Sequence, residues 1–197
     1  MFPNPRPRHL PFGLLATGQT TSYGSGAGVD DGGYEKGIVK SYTVLTTGQY
    51  SGTTNITING KTDVHSNGCA IDNNTGLMWS RTVSASVGPT SNGLIPWTTN
   101  ANGEGIFPYC AAANVAGLAG YSDWRIPNYF ELVSIMDYEA PSALPNSAAF
   151  TIASGIVITS STTQATSANN PMSKISNTGT DAVQAKTVTV YCILVRG

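Results

Sequence analysis

The sequence predicts an α+β fold in which short helices lie in the middle of the chain and strands lie on both sides. Threonine, which favours strands, occurs 24 times but never between residues 101 and 150. That central stretch instead carries an alanine-rich segment and a segment whose apolar residues have helical spacing. Of the 197 residues, 40% are hydrophobic, which suits one domain with an appendage.

Residues 1–15 predict an extended, proline-rich arm. Four prolines fall within the first eleven positions, and alternating prolines favour extended backbone that cannot pair as a central strand. The arm is either a disordered tail or a docking segment that orders on a partner, and the sequence leaves both readings open. Met1 is not followed by a charged and then an apolar region, so we expect no secretory signal peptide.

Residues 16–66 predict a β-rich extension that serves oligomerisation or attachment. Residues 41–45 are β-branched and aromatic and predict a strand. Residues 55–64 alternate around an Asn-Gly turn, which is the strongest short signal for a hairpin. Five glycines between residues 24 and 33 predict a loop.

Both predicted helices lie in the last part of the chain, residues 67–197. Asn128 followed by Glu131 predicts a helix cap, and the apolar spacing after it predicts a helix over 128–137. The alanine-rich segment predicts a helix over 107–115 that ends at a glycine, at position 117 or 120.

The chain returns to predicted strands after these helices. Residues 155–160 predict a buried strand, and residues 186–195 predict a long terminal strand. Residues 161–182 predict a long polar loop, which is where binding functions usually lie on a sheet scaffold.

The composition argues against two kinds of partner. Only 11% of the residues are charged, against about 25% in ordinary soluble domains, and the net charge is −1. A chain without a basic excess does not hold a phosphate backbone, so we expect no nucleic-acid partner. No apolar run approaches the roughly 18 residues of a membrane span, so we expect no membrane insertion.

The sequence also lacks the residues of the common catalytic sites. His9 lies among prolines, which leaves His65 as the only base for a serine or cysteine nucleophile, and no nucleophile motif accompanies it. We therefore favour a structural or exposed role for His65. The three cysteines are too widely spaced to predict a zinc site. We expect a protein that is not an enzyme, with no cofactor and no bound metal.

Several motifs resemble those of the Lcl C-terminal domain family, which is named for a bacterial collagen-like adhesin. Residues 72–79 read DNNTGLMW and resemble the D-x-x-T-G-L-M-W entry motif of that family. Tyr109-Cys110, Gly120, the DWRIP of residues 123–127 and Glu131-Leu132 resemble its "YC…G…DWRLP…EL" run. Residues 159–162 and 191–197 are similar to its last two motifs, with Ile158 where tryptophan is usual. The resemblance covers about residues 67–197.

This resemblance implies a C-type-lectin-like fold, with two short helices on small twisted antiparallel sheets and with the first and last strands paired. The β-rich extension and the proline-rich arm would precede it. In lectin-like folds the positions of Cys110 and Cys192 are often joined by a disulfide, so we expect these two cysteines to be adjacent, bonded or not, and Cys69 to be unpaired. The acidic motifs of calcium-dependent sugar sites are absent from the sequence, so we expect no such site.

Structural and ligand-binding roles divide the remaining candidates. We expect Trp79 and Trp124 to lie in the core and Arg125 to form an ion pair with Glu131 that fixes the entry of the second helix. The candidate ligand surface comprises the loops of residues 138–182 and two aromatic residues outside them. Its residues are Trp97, Tyr121, Tyr138, Thr162, Thr163, Asn169 and Asn170.

The functional hypothesis is a non-enzymatic binding module in a bacteriophage virion, on the capsid or on a tail appendage. It would present a lectin-like surface to a glycan or protein of the host cell surface, as a homo-oligomer with a trimer favoured, and the arm would contact other virion proteins. The alternatives are a purely structural decoration protein and a secreted or cell-surface bacterial adhesin. A formylglycine-generating enzyme shares the lectin-like fold, but the cysteine spacing does not support its paired-cysteine copper site.

Overall fold

The computed structural model describes residues 15–17, 19, 22, 37–138 and 148–197. Nearly all of the proline-rich arm and the whole of the predicted loop at 24–33 lie outside these residues. The described residues form eleven strands, two α-helices and two 3-10 turns, at Gly48–Tyr50 and Leu118–Gly120. The strands are β1 (Tyr42–Leu45), β2 (Thr53–Ile58), β3 (Lys61–Ser66), β4 (Cys69–Asp72), β5 (Met78–Ser80), β6 (Ile95–Pro96), β7 (Val157–Thr163), β8 (Pro171–Ile175), β9 (Asp181–Val183), β10 (Thr189–Val190) and β11 (Val195–Arg196). The helices are α1 (Ile106–Ala116) and α2 (Tyr129–Ser134).

The strands form four small antiparallel sheets. The largest has the order β1-β4-β5-β11, and a three-stranded sheet has the order β7-β8-β9. Strands β2 and β3 form a hairpin, and β6 pairs with β10. Small antiparallel sheets with two helices confirm the predicted α+β class. The first and last strands of residues 67–197, β4 and β11, lie in the same sheet but do not pair directly, because β5 lies between them.

The two inner strands of the four-stranded sheet, β4 and β5, are buried, and each face of the sheet packs against its own hydrophobic cluster. Because successive side chains of a strand point to opposite faces, Cys69 and Met78 lie in the first cluster while Ala70 and Trp79 lie in the second. The hairpin and α1 contribute to the first cluster, and α2 and β7 contribute to the second. Residues 42–66 therefore share one core with the residues that follow them.

The hairpin follows from its turn residues. Asn59 and Gly60 both have positive φ, 48° and 70°, which is the conformation that a two-residue turn between twisted antiparallel strands requires. The predicted hairpin is confirmed. Ile56 and Ile58 point inward from β2 and pack in the same cluster as residues of α1.

Local signals set the start of α2 and the end of α1. In α2, Asn128 accepts a hydrogen bond from the Glu131 backbone, and the Glu131 side chain accepts one from the Asn128 backbone, so the capping box is confirmed. Helix α2 ends at Ser134, three residues before the predicted end. Helix α1 ends at Gly117, whose φ of 68° and ψ of 48° are the left-handed values that favour glycine.

One strand prediction and one loop prediction were wrong. The long strand expected over 186–195 is divided into β10 and β11, because residues between them bond to side-chain hydroxyls: Cys192 N donates to Ser84 Oγ and Leu194 N to Ser80 Oγ. The long loop expected over 161–182 instead contains β8 and β9, which continue the sheet that β7 begins.

Candidate functional site

The DNNTGLMW motif builds the turn between β4 and β5. Asp72 is buried, and its carboxylate accepts hydrogen bonds of 2.9 Å from the Asn74 backbone and from the Thr75 hydroxyl. Gly76 follows with a φ of 77°, a value that favours glycine. Trp79, at the end of the motif, lies fully buried in the core. The residues of the DNNTGLMW motif therefore form the turn and pack in the core.

The DWRIP motif anchors helix α1 to the strands. Asn114 accepts a 2.7 Å hydrogen bond from the Trp124 backbone and donates one of 2.9 Å to the Trp124 carbonyl, while the indole nitrogen of Trp124 donates to Leu118. Arg125 makes two hydrogen bonds of 2.7 Å to Glu131, the residue that also closes the α2 cap. These side chains hold the scaffold together.

The three cysteines are free, buried thiols, so the disulfide considered for Cys110 and Cys192 is absent. The thiol of Cys110 instead donates to the Trp124 carbonyl at 3.1 Å. Burial raises the pKa of Cys69 and that of Cys110 to about 11, and it also raises the pKa of Cys192.

A buried polar network that the sequence did not reveal lies between the hairpin and α1. The Tyr109 hydroxyl donates to Asp63 Oδ2 at 2.6 Å, and His65 Nδ1 lies 3.3 Å from the same oxygen. His65 Nε2 contacts the Thr82 hydroxyl at 3.1 Å. Burial alone would raise the pKa of Asp63, but hydrogen bonds from His65 and Tyr109 lower it below its ordinary value. His65 has the structural role that the sequence favoured.

The expected ligand residues do not form one site. Thr162 accepts a hydrogen bond from the Tyr129 backbone at the start of α2, and Thr163 pairs with Pro171 between β7 and β8. Tyr121 supports the Arg196 guanidinium, which lies 3.8 Å from its ring centre. These three residues make structural contacts.

Tyr138 lies apart from the other expected ligand residues, at the edge of a cleft of about 450 Å³. Apolar side chains, including exposed Phe130, line much of this cleft together with Lys40. Lys40 donates to the Met136 carbonyl, and burial lowers its pKa.

Trp97 and Asn169 do come together, on either side of Lys186. The residues Thr98, Asn169, Ala185, Lys186 and Thr187 line an open cleft of about 350 Å³. Trp97 does not line it but supports the Lys186 ammonium that does, so we call it the Trp97–Lys186 cleft. Asn170 follows Asn169 in the loop that forms one wall, and its backbone bonds to Ser167 and Gln164 within that loop.

Backbone hydrogen bonds fix both sides of this cleft. The Lys186 carbonyl accepts hydrogen bonds from the backbones of Trp97 and Thr98 at 3.0 and 3.1 Å, and the Lys186 backbone donates to Asn169 at 2.8 Å. The pairing of β6 with β10 continues this contact, because Pro96 lies opposite Thr189. Lys186 is thus held between two separate segments of the chain.

The Trp97 side chain that supports Lys186 is fixed as well. The Trp97 indole nitrogen donates to the Ser160 carbonyl at 2.8 Å, and Phe107 packs edge-on against the indole with ring centres 4.9 Å apart. The Lys186 ammonium lies 4.1 Å from the centre of the Trp97 ring, a favourable cation–π distance.

Trp97 and Asn169 were among the predicted ligand residues, whereas Lys186 was not. The signal that points to Lys186 is its isolation, because it is the one charged residue between Asp181 and Arg196. Lys186 lies in the turn between β9 and β10. Its isolation makes Lys186 a candidate functional residue.

These features define a small α+β domain whose central sheet has two buried inner strands and whose loops form polar clefts. The chain belongs to the Lcl C-terminal domain family, whose model matches residues 68–196. Membership of this family indicates a surface, adhesin-like module. No curated protein and no solved structure matches the chain.

Two further properties concern only the part of the chain that the structure describes. Its histidine, cysteine, aspartate and glutamate side chains form no group of three that could hold a metal ion. Neither of its α-helices is long and apolar enough to cross a membrane.

Proposed function

We propose that the chain is a non-enzymatic binding module that uses the Trp97–Lys186 cleft to bind a glycan of a host cell surface. The observation that carries this proposal is the composition of the cleft wall. Asn169 and Thr187 offer an amide and a hydroxyl, the groups that exchange hydrogen bonds with sugar hydroxyls. The Thr98 hydroxyl donates to the Lys186 carbonyl at 3.3 Å and keeps its lone pairs as acceptors. The fixed backbone beside them reduces the conformational entropy that binding costs.

The proposal includes a place on the virion surface of a bacteriophage, on the capsid or a tail appendage, as a homo-oligomer. The resemblance of the motifs to a family with bacteriophage members supports it, and so does a chain rich in serine, threonine, glycine and asparagine with only 11% charged residues. A single open cleft of this size binds weakly, and several copies on one particle would raise the avidity. The proline-rich arm would provide attachment to other virion proteins.

A secreted bacterial adhesin is the second candidate, because the family membership itself indicates an adhesin-like module. Both candidates require the same cleft to bind a cell-surface ligand. A structural decoration protein would not require it.

The test measures binding of the fluorescently labelled protein to a panel of bacterial cell envelopes. The variant Asn169→Ala/Thr187→Val removes two exposed side chains of the cleft that make no other described side-chain contact. Loss of two ligand hydrogen bonds should weaken binding roughly tenfold. Asn55→Ala, at an exposed position of β2, is the matched control and should bind as the wild type does.

Addition of a chelator should leave this binding unchanged, since the described residues form no metal cluster. Equal binding of the cleft variant and the wild type would remove the cleft from the proposal. Absence of binding to every envelope, by folded protein, would favour the structural decoration protein.

A further inference from the structure

We propose that the proline-rich arm of one copy of the chain docks in the cleft beside Phe130 and Tyr138 of a neighbouring copy. We call this cleft of about 450 Å³ the Phe130–Tyr138 cleft. The inference rests on the homo-oligomer of the proposed function, because it names the surface through which the copies meet. It does not depend on the ligand of the Trp97–Lys186 cleft.

The Phe130–Tyr138 cleft presents apolar side chains to solvent. Leu15, Phe130, Val133 and Tyr138 all contribute to its lining. Phe130 and Tyr138 are 80% and 38% exposed. A single exposed apolar residue on a protein surface needs no explanation, but several that line one cleft mark a contact site.

Hydrogen bonds fix the walls of this cleft. The Tyr138 backbone donates to the Thr17 carbonyl at 3.1 Å, which joins the segment after α2 to the first described residues. The Lys40 ammonium donates to the Thr17 carbonyl at 3.4 Å and also to the Met136 carbonyl. A cleft that is formed before binding costs little reorganisation when it takes up a partner.

The arm has the composition and the position to fill this cleft. Leu15, the last residue of the arm, lines the cleft, and residues 1–14 lie outside the described residues. The arm includes four prolines and the apolar side chains of Phe2, Leu10 and Phe12. Proline-rich segments bind aromatic-lined grooves, because their extended backbone loses little conformational entropy on docking. The exposed rings of the cleft provide such a groove.

The expected shape of the arm favours a neighbouring copy over the same chain. Polyproline backbone rises about 3.1 Å per residue, so the stretch from Pro3 to Pro11 would span roughly 25 Å. Docking in its own cleft would require the chain to reverse between Pro11 and Leu15. Docking in a neighbour requires no reversal, and a span of this length reaches beyond a single cleft.

The charges of the arm and of the cleft are opposite. The arm carries Arg6 and Arg8 and no acidic side chain. Burial lowers the pKa of Lys40, whereas the carboxylates of Asp137 and Asp72 act to raise it, so both carboxylates lie near its ammonium. Two carboxylates and one ammonium have a negative sum, which attracts a basic arm.

Sedimentation equilibrium of the full chain measures this self-association. Phe130→Ser removes the most exposed ring of the cleft and should weaken association about tenfold, because that apolar surface is no longer buried in the contact. Val115→Ser is the matched control, since Val115 is 90% exposed on α1, which packs in the other core cluster. The control should associate as the wild type does.

A second variant tests the arm itself. Pro3→Ala/Pro5→Ala/Pro7→Ala keeps the charge of the arm but allows its backbone more conformations. Docking then loses more conformational entropy, so association should again weaken about tenfold. Thermal unfolding of each variant confirms that it is folded.

Cysteine cross-linking identifies whose arm fills the cleft. One protein carries Asn4→Cys in the arm, the other carries Ser134→Cys in the cleft lining, and the native thiols are buried. Oxidised glutathione should join a mixture of the two proteins into a disulfide-linked pair, because the two thiols meet across the contact. A mixture of Asn4→Cys with Val115→Cys should give little of this product.

Four outcomes would overturn the inference. Equal association of Phe130→Ser and the wild type would exclude the cleft. Weaker association of Phe130→Ser with the proline variant unchanged would show that two copies meet through the cleft without the arm. A disulfide that forms only when one chain carries both cysteines would show that the arm fills its own cleft. A wild type that stays monomeric would leave the cleft to a different protein, and binding of that monomer to envelopes would leave the glycan site standing.

Discussion

The hydroxyl of Tyr109 donates a 2.6 Å hydrogen bond to Oδ2 of Asp63, and this contact joins α1 to the hairpin inside the core. Both side chains are buried, with exposed fractions of 0% and 1%. The backbone of Ala85 donates to the same carboxylate oxygen at 3.1 Å. A buried carboxylate is costly unless hydrogen bonds replace its water, so the Asp63 network is needed for the stability of the first core cluster.

Tyr109→Phe should destabilise the protein by about 1–3 kcal/mol, because it leaves a buried carboxylate with one fewer donor. The free energy of unfolding in urea measures this loss. Tyr191→Phe is the control, since the Tyr191 hydroxyl has no hydrogen bond among the described contacts of the chain and its removal should change the stability little. Equal losses in the two variants would show that the Tyr109 hydroxyl is not needed.

The Asp63 network should also make stability depend on acid. Burial raises the pKa of Asp63, but the hydrogen bonds from His65 and Tyr109 outweigh it and depress the pKa in the folded state. The stabilisation is therefore complete above the unfolded pKa of about 3.9 and is lost as the pH falls through the lower, folded pKa. In Tyr109→Phe the pKa of Asp63 is depressed less than in the wild type. The difference in free energy of unfolding between wild type and variant should therefore narrow below about pH 4. Urea unfolding curves of both proteins above and below pH 4 measure this difference. A difference in free energy of unfolding that does not change with pH would exclude Asp63 as the titrating group.

Glu131 has two contacts that can be removed separately. Glu131→Gln removes the charge of the pair with Arg125 but can still accept from the Asn128 backbone, whereas Glu131→Ala removes both contacts. The Arg125 side chain is 41% exposed, so solvent screens the ion pair and its loss should cost about 0.5–1 kcal/mol. In Glu131→Ala, loss of the helix cap should lower the free energy of unfolding by about 1 kcal/mol more.

At acid pH, the Glu131 variants should differ less from the wild type in their free energy of unfolding than they do at neutral pH. The Arg125 hydrogen bond depresses the pKa of Glu131 against the opposing effect of burial. The stabilisation by this carboxylate is present above an unfolded pKa of about 4.3 and is lost as the pH falls through the folded value. Urea unfolding of wild type and Glu131→Gln at neutral pH and near pH 3 compares the two conditions. An equal stability of Glu131→Gln and wild type at neutral pH would show that the ion pair contributes nothing.

The sequence predicted the elements whose determinants are local. Asn59-Gly60, the Asn128 cap and Gly117 act through backbone conformations within a few residues, so each could be recognised without the fold. The division of the terminal strand could not be recognised, because Ser80 lies 114 residues before Leu194, to which it bonds. The candidate site was found in part. Trp97 stands out by its residue type, whereas Lys186 gains its meaning only when the chain folds it onto the indole.

The three cysteines should be unreactive in the folded protein. All three thiols are buried, and burial raises the pKa of Cys69 and that of Cys110 to about 11, so very little reactive thiolate is present at neutral pH. A chromogenic disulfide reagent should therefore titrate no thiol in the native protein and three after denaturation. Intact mass without reductant should match the fully reduced chain. A mass two hydrogens lower would instead establish a disulfide.

Two glycines of positive φ should differ strongly when replaced by alanine. Gly60 has a φ of 70° and open space around an added Cβ, so Gly60→Ala should cost only the backbone strain, about 1 kcal/mol. Gly88 has a φ of 86°, and an added Cβ would lie 2.0 Å from the Leu94 carbonyl oxygen. Gly88→Ala should therefore cost more than about 3 kcal/mol, because backbone atoms must move as well. Urea unfolding of both variants makes the comparison, and a similar cost at the two positions would show that the 88–94 loop adjusts without loss to the core.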